Sequence, residues 1–390
     1  MALKFDRLKN RVFEKEETMD PYILARQKEA MEKFGLDALV AYSAENVAYG
    51  IGYIIPSQAM NLRTRQFAVA VNRDGRAGLL LSSNELSEAE ERSTVREFRP
   101  YDQFSDDPML VLAGLLKELG VAKGRIGLEM DAMPADRWED LKKHLPGTKW
   151  EHGSKAFYHA RMIKTPGELD RLRKASRIAE QAQANAHPYV KIGVTEHEIY
   201  RHIVDQAIAC GADKILMVQV GAGERSVYSN PSPSDYRMRK GEVVKVDTFV
   251  SVGGYLSDTG RAFVVGEASQ LQRDIWTHMQ ETQRAILATI TPGVSTKDLW
   301  QVFVKTFKKY GMEPCMRFLG HGLGLNLHEE PFIAAHTDME LQEGMVFALE
   351  PVYNTRDKKM GFHLEDNLIV TKRGVENMTS RFGPELIVLG

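Results

Sequence analysis

Two segments of this chain, GVTEHEIYRHIVDQAIACG at 193–211 and GVSTKDLWQVFVKTFKKYG at 293–311, align without gaps at an offset of 100 residues. Each opens on Gly-Val followed by a hydroxyl residue, Thr195 or Ser295, placed to cap a helix. Each has an acid at the third helical position: Glu198 completes a capping box, and Asp298 makes a shorter variant of it. Apolar residues fall at matching places, and a glycine, Gly211 or Gly311, closes each helix. Matched length and matched ends imply a duplicated unit. Such a chain folds into two pseudo-symmetric halves, and ligands commonly bind between units of this kind.

The repeat fills only part of 390 residues, a length too great for one ordinary core, so two domains are expected. Upstream, LDALVAYS, QFAVAVN and AGLLLSS read as buried strands, while ILARQKEAMEKFG and PMLVLAGLLKELG have helical periodicity and end at glycine. These predict an α/β domain over residues 1–160. The polar stretch PGTKWEHGSKAFYHARMIK reads as a loop-rich boundary, with a second domain over 161–390. That domain begins with a strong helix start: Thr165 as cap, Pro166 at the first helical position and Glu168 completing a capping box.

A net charge of −2 with 27% charged residues gives no sign of nucleic acid or an anionic membrane as partner. Two cysteines, Cys210 and Cys315, exclude a disulfide framework and fit a reducing cytosol. The N-terminal run MALKFDRLKNRVFEKEE has no apolar core and is not expected to be a signal peptide. No apolar run has the length to span a bilayer.

Chemistry enters with EVVKVDTFVSVGGYLSDTGRAFVV, an apolar hairpin with an aspartate on each arm. A loop at Val252–Gly253, or a four-residue turn over Ser251–Gly254, places Asp247 directly opposite Asp258. Facing like charges destabilise a hairpin unless a cation lies between them, and a divalent metal is the natural candidate. Further along, FLGHGLGLNLHEEP carries His321 and His328, EGMVFALEP ends a strand at Glu350, and GFHLEDNLIVT holds Glu365. Two Asp, one His and two Glu form a set of hard oxygen ligands with one imidazole, which suits two divalent ions sharing bridging carboxylates.

In these motifs the chain resembles the pita-bread metallopeptidases, the family of methionine aminopeptidase, Xaa-Pro aminopeptidase, prolidase and creatinase. GLDALVAYSAENVAYGIGY is similar to the start of their creatinase-type N-terminal domain, and ARMIKTPGELDRLRKA to the opening of their catalytic domain. The Asp-x10-Asp hairpin, GHGLGLNLHEEP, GMVFALEP and HLEDNLIVT follow in family order. The resemblance implies an α+β architecture: a pita-bread catalytic domain with an internal pseudo-twofold repeat, preceded by a creatinase-type α/β domain. It implies that Asp247 chelates one ion, that His321 and Glu350 hold the other, and that Asp258 and Glu365 bridge them. The ions, manganese, cobalt, iron or zinc, would lower the pKa of a water for attack on a carbonyl. Glu350 would also accept a proton, and His328 would hydrogen-bond the substrate or the tetrahedral intermediate. A homodimer and a small peptide or amide substrate follow from the same resemblance.

Three positions depart from the prolidase-like pattern. Asn230 stands where prolidases have a His before Pro-[Thr/Ser]-Asp, Phe332 where they have an Arg after HEEP, and His363 where they have an Arg two residues before the last Glu. All three are expected near the substrate, and His363, two residues from Glu365, is expected to point into the site. Neither Phe nor His reproduces bidentate recognition of a carboxylate. The first reading is therefore a dinuclear metallohydrolase of C–N bonds, of Xaa-Pro dipeptidase or aminopeptidase type. Alternatives are a metal-dependent enzyme of small non-peptide compounds, such as a compatible-solute hydrolase or a sulfonium lyase, and a non-catalytic binding protein on the same fold.

Overall fold

The structure is a computed structural model and describes residues 19–390 apart from residue 358; the N-terminal run read above lies outside the described residues. The chain divides into two compact units, the first ending at Phe157 and the second running from Tyr158 to Gly390. Among the described residues no helix is long and apolar enough to cross a membrane.

In the first unit six strands form one mixed sheet: β1 (Ala38–Ala41), β2 (Ala68–Asn72), β3 (Ala77–Ser82), β4 (Glu97–Tyr101), β5 (Arg125–Leu128) and β6 (Lys149–His152), in the order β4-β3-β2-β1-β5-β6. Its helices are α1 (Pro21–Phe34), α2 (Ala44–Ile51), α3 (Pro56–Ala59), α4 (Leu86–Arg92), α5 (Pro108–Glu118) and α6 (Ala135–His144); α7 (Ser154–Met162) contains the point of division between the units. The central strands are buried along their whole length, as continuous apolar runs covered on both faces must be. The stretch read as a loop-rich boundary is instead strand β6 followed by helix α7. Trp150 packs edge-on against Trp138 at 5.4 Å, and Ala156, Phe157 and Ala160 are buried, so apolar packing outweighs the polar composition there.

The second unit contains α8 (Pro166–Ala186), α9 (Glu196–Ala209), β7 (Lys214–Ala222), β8 (Val243–Val252), β9 (Tyr255–Leu256), β10 (Thr259–Val265), α10 (Gln270–Leu287) and α11 (Thr296–Lys309). It continues with β11 (Phe318–Gly322), β12 (Glu329–Ala334), β13 (Val346–Leu349), β14 (Val352–Asn354), β15 (Gly361–His363), β16 (Asp366–Thr371), β17 (Gly374–Asn377) and β18 (Ile387–Leu389). The capping boxes at Thr165, Thr195 and Ser295 all form. Helices α9 and α11 are each 14 residues long and each is strapped the same way at its start. Gly193 donates to the Met238 carbonyl at 2.8 Å, and Gly293 to that of Leu341 at 2.9 Å. Met238 and Leu341 return bonds to Val194 and Val294. The duplication is thus carried by backbone geometry as well as by side-chain pattern.

Each half has a sheet and a core of its own. In the first, β18-β10-β8-β7 packs under α8 and α9; in the second, β12-β11-β13-β16-β17 packs under α10 and α11. The halves meet where β10 runs beside β16. Glu365 donates its backbone N–H to the Gly260 carbonyl at 3.0 Å. Buried Arg261 bonds the carbonyls of Gly260 and Glu365, the Asp366 carboxylate and, at 3.1 Å, the Thr379 carbonyl. Asp366 is further held by Gln283 of α10 and by Asn377 and Thr379. Removing one member of a buried charged network leaves the others unpaired, typically at a cost of about 3–5 kcal/mol. Arg261→Met is therefore expected to lower the unfolding free energy by about that amount in urea titration; a loss below about 1 kcal/mol would mean that the clamp is not what joins the halves.

Candidate metal centre

The Asp-bearing hairpin turns at Gly253–Gly254, one residue beyond the centre expected from the sequence. Val252 pairs with Tyr255, and Asp247 pairs with Gly260, so Asp247 and Asp258 are not directly opposed. The cause is turn chemistry. Gly253 and Gly254 have φ of 58° and 84°, the two positive values that a tight two-residue turn requires and glycine alone meets freely. The pairing moves by two residues, which preserves the side-chain face, so both carboxylates still share it. The residue opposite Asp247 has no side chain for a physical reason. A Cβ on Gly260 would lie 2.4 Å from Nδ1 of His363 and 2.9 Å from Oε2 of Glu365.

The pseudo-symmetry delivers the remaining carboxylates. Asp247 stands four residues after the first residue of β8, and Glu350 four after the first of β13; Asp258 immediately precedes β10, and Glu365 immediately precedes β16. His321 comes from β11, and its Nε2 lies 3.3 Å from Asp258 Oδ2 and 3.5 Å from Glu350 Oε1. His363, at the end of β15, places Nε2 3.4 Å from Glu350 Oε2 and 3.6 Å from Glu365 Oε2, with Nδ1 4.0 Å from Asp247 Oδ2. All five residues expected to bind metal are brought together, and His363 lies among them rather than at the rim.

These groups are in a poor state for a folded protein to keep by itself. Oδ1 of Asp247 and of Asp258, Nε2 of His321, Oε2 of Glu365 and both ring nitrogens of His363 are buried without a hydrogen-bond partner. Buried polar atoms are normally satisfied. Their ligand atoms form three overlapping groups, Asp258–His321–His328, Asp247–His363–Glu365 and His321–Glu350–Glu365, each within 4.8 Å. Unpartnered oxygen and imidazole donors converging at that spacing fit divalent cations.

Electrostatics agrees. Burial, then the charges of Asp258 and Glu350, push the Asp247 carboxyl well above the usual range. Burial and the charges of Asp258, Asp247 and Glu350 do the same to Glu365. Burial also opposes ionisation of Glu350, but His363 and His321 outweigh it and hold this carboxyl low. Burial works against a charged His321, yet Asp258 and Glu350 raise its pKa. His328 stacks on His321 with ring centroids 3.8 Å apart; desolvation of its packed face and the neighbouring imidazole lower its pKa.

The other two expected substrate residues sit beside this cluster. Asn230 is exposed and accepts from Gln219 at 3.1 Å, and Gln219 pairs with Asp247 across β7 and β8. Phe332, half-buried on β12, pairs with His321 across β11. Two further residues escaped sequence reasoning. Lys245 is buried two residues before Asp247, on the same face, with Nζ bound to the carbonyls of Tyr228 and Ser229. A lysine within the valine run VVKVD was the available signal. Glu329 is buried against Arg161 and against Lys164 at 2.6 Å, which fixes the chain directly after His328.

The raised carboxyls of Asp247 and Glu365 have a definite pH consequence. Groups whose folded pKa lies above the unfolded value contribute stability at acid pH and lose it as pH rises through the raised value. The metal-free protein is expected to melt at progressively lower temperature as pH rises above the ordinary carboxylate range of about 4, with a flatter slope in Glu365→Gln. Metal binding must displace those protons, so affinity rises with pH. Calorimetry in buffers of different ionisation enthalpy should read net proton release; net uptake would contradict the assignment.

Comparison with known proteins agrees with this geometry. The sequence profile of metallopeptidase family M24 matches residues 170–372, and that of the creatinase/prolidase N-terminal domain matches residues 24–163. The probable dipeptidase PepE of Mycobacterium tuberculosis is 29% identical over 367 residues, covering 93% of this chain and 96% of its own length. The Xaa-Pro dipeptidase of Pyrococcus horikoshii is 28% identical over 356 residues, covering 90% and 95%. The crystal structure of dipeptidase PepE from Mycobacterium ulcerans superposes with a TM-score of 0.81 at 28% identity, covering 94% of this chain and 97% of the other.

Proposed function

The chain belongs to metallopeptidase family M24, and from that premise we propose that it is a dinuclear metallohydrolase cleaving the C–N bond of a small peptide or amide, of Xaa-Pro dipeptidase type. Its fold is a pita-bread catalytic domain preceded by a creatinase-type α/β domain. The reading places catalysis in residues 161–390 and leaves 1–160 as the companion domain. The observation that carries it is the convergence of Asp247, Asp258, His321, Glu350 and Glu365 with buried donor atoms left unpartnered.

Asp247, Asp258, His321, Glu350 and Glu365 would hold two divalent ions, manganese, cobalt, iron or zinc, which supply Lewis acidity and water activation there. Glu350 is the most exposed of the four carboxylates, at 12%, against 9% or less for the others. Kept ionised by its histidine neighbours, it is the carboxylate suited to take a proton from the attacking water. His328 stacks over His321 at the mouth of the cluster. As a neutral imidazole it can donate one hydrogen bond to charge developing on the substrate oxygen. A homodimer in the cytosol completes the reading; family resemblance supports the first, and the two free cysteines, Cys210 and Cys315, support the second.

A second reading, a small non-peptide substrate, is favoured by Phe332. Its benzyl group faces the His321 side of the centre, where it cannot pair with a carboxylate.

Purified protein loaded with each metal in turn should cleave Xaa-Pro dipeptides or their amides, and Asp258→Ala should keep its fold but lose metal and turnover. Undiminished turnover after chelation would overturn the reading. His328→Ala is expected to lower kcat by roughly 10²–10³ with metal content unchanged, as removal of one transition-state donor does. Phe332→Arg should raise the ratio of kcat/KM for Ala-Pro over its amide by on the order of tenfold to a hundredfold, since one charge-assisted hydrogen bond is worth about 1.5–3 kcal/mol. If the arginine leaves that ratio unmoved, Phe332 does not set specificity.

A further inference from the structure

His363 is the buried side chain of the cavity for which the five-residue ligand set has no use. It is 4% exposed, at the end of β15, and neither ring nitrogen has a hydrogen-bond partner. A buried imidazole that merely oriented a carboxylate would donate to it at about 2.7–3.2 Å. The nearest carboxylate oxygens are instead 3.4 and 3.6 Å from Nε2 and 4.0 Å from Nδ1. Those separations are long for hydrogen bonds and natural for atoms that share an ion. With metal bonds of about 2.0–2.2 Å, two ligand atoms stand roughly 3–3.6 Å apart at right-angled or tetrahedral positions, and further apart when more nearly opposite.

The spacing around His321 is the same, with Nε2 3.3 Å from Asp258 and 3.5 Å from Glu350. Glu350 thus offers Oε1 to His321 and Oε2 to His363, one oxygen to each imidazole. Asp247, His363 and Glu365 present ligand atoms within 4.8 Å of one another, all from buried residues. The pocket is also shaped for this ring. The missing Cβ of Gly260 leaves the space that His363 fills, and any other residue there would strike Nδ1 at 2.4 Å. An arginine has no comparable donor to offer a cation.

We propose that His363 is a sixth metal ligand, so that each of the two ion positions carries one imidazole: His321 with Asp258 and Glu350 in one, His363 with Asp247 and Glu365 in the other. The proposal rests on the dinuclear reading above. A position with carboxylates alone suits hard ions such as magnesium or manganese; one with an added imidazole suits borderline ions such as zinc or iron. The second position is therefore built for a borderline transition ion, and His363 belongs to the centre rather than to the substrate.

The test is the imidazole count in zinc-loaded protein by X-ray absorption, set beside zinc stoichiometry and affinity by calorimetry, for wild type, His363→Ala, His363→Asn and His321→Ala. Circular dichroism of the metal-free forms checks that each variant folds. Wild type is expected to show about one imidazole per zinc at two zinc ions per chain. Either His363 variant that folds should fall to about half of that when loaded, with the weaker of the two affinities lowered by at least about a hundredfold. Half an imidazole per zinc in wild type, or a folded His363 variant with unchanged affinities, overturns the assignment of His363 and leaves the dinuclear reading standing. Wild-type protein that binds no second zinc overturns both.

Discussion

Four carboxylates packed into one largely buried cluster repel one another, and the rest of the catalytic unit is arranged around that constraint. Two unit charges of like sign 4 Å apart repel by about 4 kcal/mol at an effective dielectric of 20, before the cost of removing each from water. No lysine or arginine lies within ion-pair distance of Asp247, Asp258, Glu350 or Glu365 among the described residues; only His321 and His363 do. The metal-free fold relieves the repulsion partly by protonation, with Asp247 and Glu365 pushed up. Full relief needs divalent cations. Until they bind, the strands must be held by contacts that do not involve the carboxylates at all. Arg261 supplies these from behind, by fastening Gly260, Glu365 and Asp366 through backbone and side chain. Gln183 of α8 does the same for Thr248 and Thr259, on either arm of the hairpin.

Duplication explains how so strained a set of groups can be assembled from ordinary parts. Each half brings a helix pair, a sheet and two carboxylates at equivalent strand positions, and each half has its own apolar core. Neither half alone gathers more than two acids, a number a hairpin tolerates. Only docking of the two brings the four together, at the seam where Gly260 meets Glu365. The departures from symmetry do the chemistry. His321 enters on β11, His328 follows on the turn before β12, and His363 ends β15, a short strand that pairs with β14. Imidazoles therefore come from the second half alone, while the first half contributes acids and the cation Lys245.

The sequence was most legible where structure is local. Capping boxes, the left-handed glycine that ends α1 and the repeat itself depend on neighbours a few residues apart, and they form as read. The hairpin is legible in its face but not in its register: both loops expected from the sequence put Asp247 opposite Asp258, whereas the turn formed uses Gly253 and Gly254, as their paired positive φ requires. Contacts made at long range were illegible one residue at a time. Gly260 looks like any strand glycine until His363 is seen to occupy its side-chain space, 103 residues away in sequence by the difference of their numbers. The partners of Arg261 and Glu329 lie far off in sequence, on α8, on β16 and in the segment around Arg161 and Lys164. His363 was expected to face the substrate because an arginine does so in similar chains. In the structure its ring nitrogens lie 3.4 Å from Glu350, 3.6 Å from Glu365 and 4.0 Å from Asp247.

Lys245 bears on what the cavity can accept. A lysine 3% exposed in the middle of a strand carries a heavy desolvation cost, and burial accordingly lowers its pKa. Its Nζ is committed to the carbonyls of Tyr228 and Ser229, the residues immediately before Asn230. The ammonium thus acts as a pin that draws this segment down onto the strand bearing Asp247, while Gln219 holds Asn230 from the neighbouring strand. A cation spent in this way is not presented to a substrate. Asn230, exposed beside that strand, and Phe332, half-buried and paired with His321, are both uncharged. These two neutral residues support the proposed preference for an uncharged or chain-extended substrate end over a bare carboxylate.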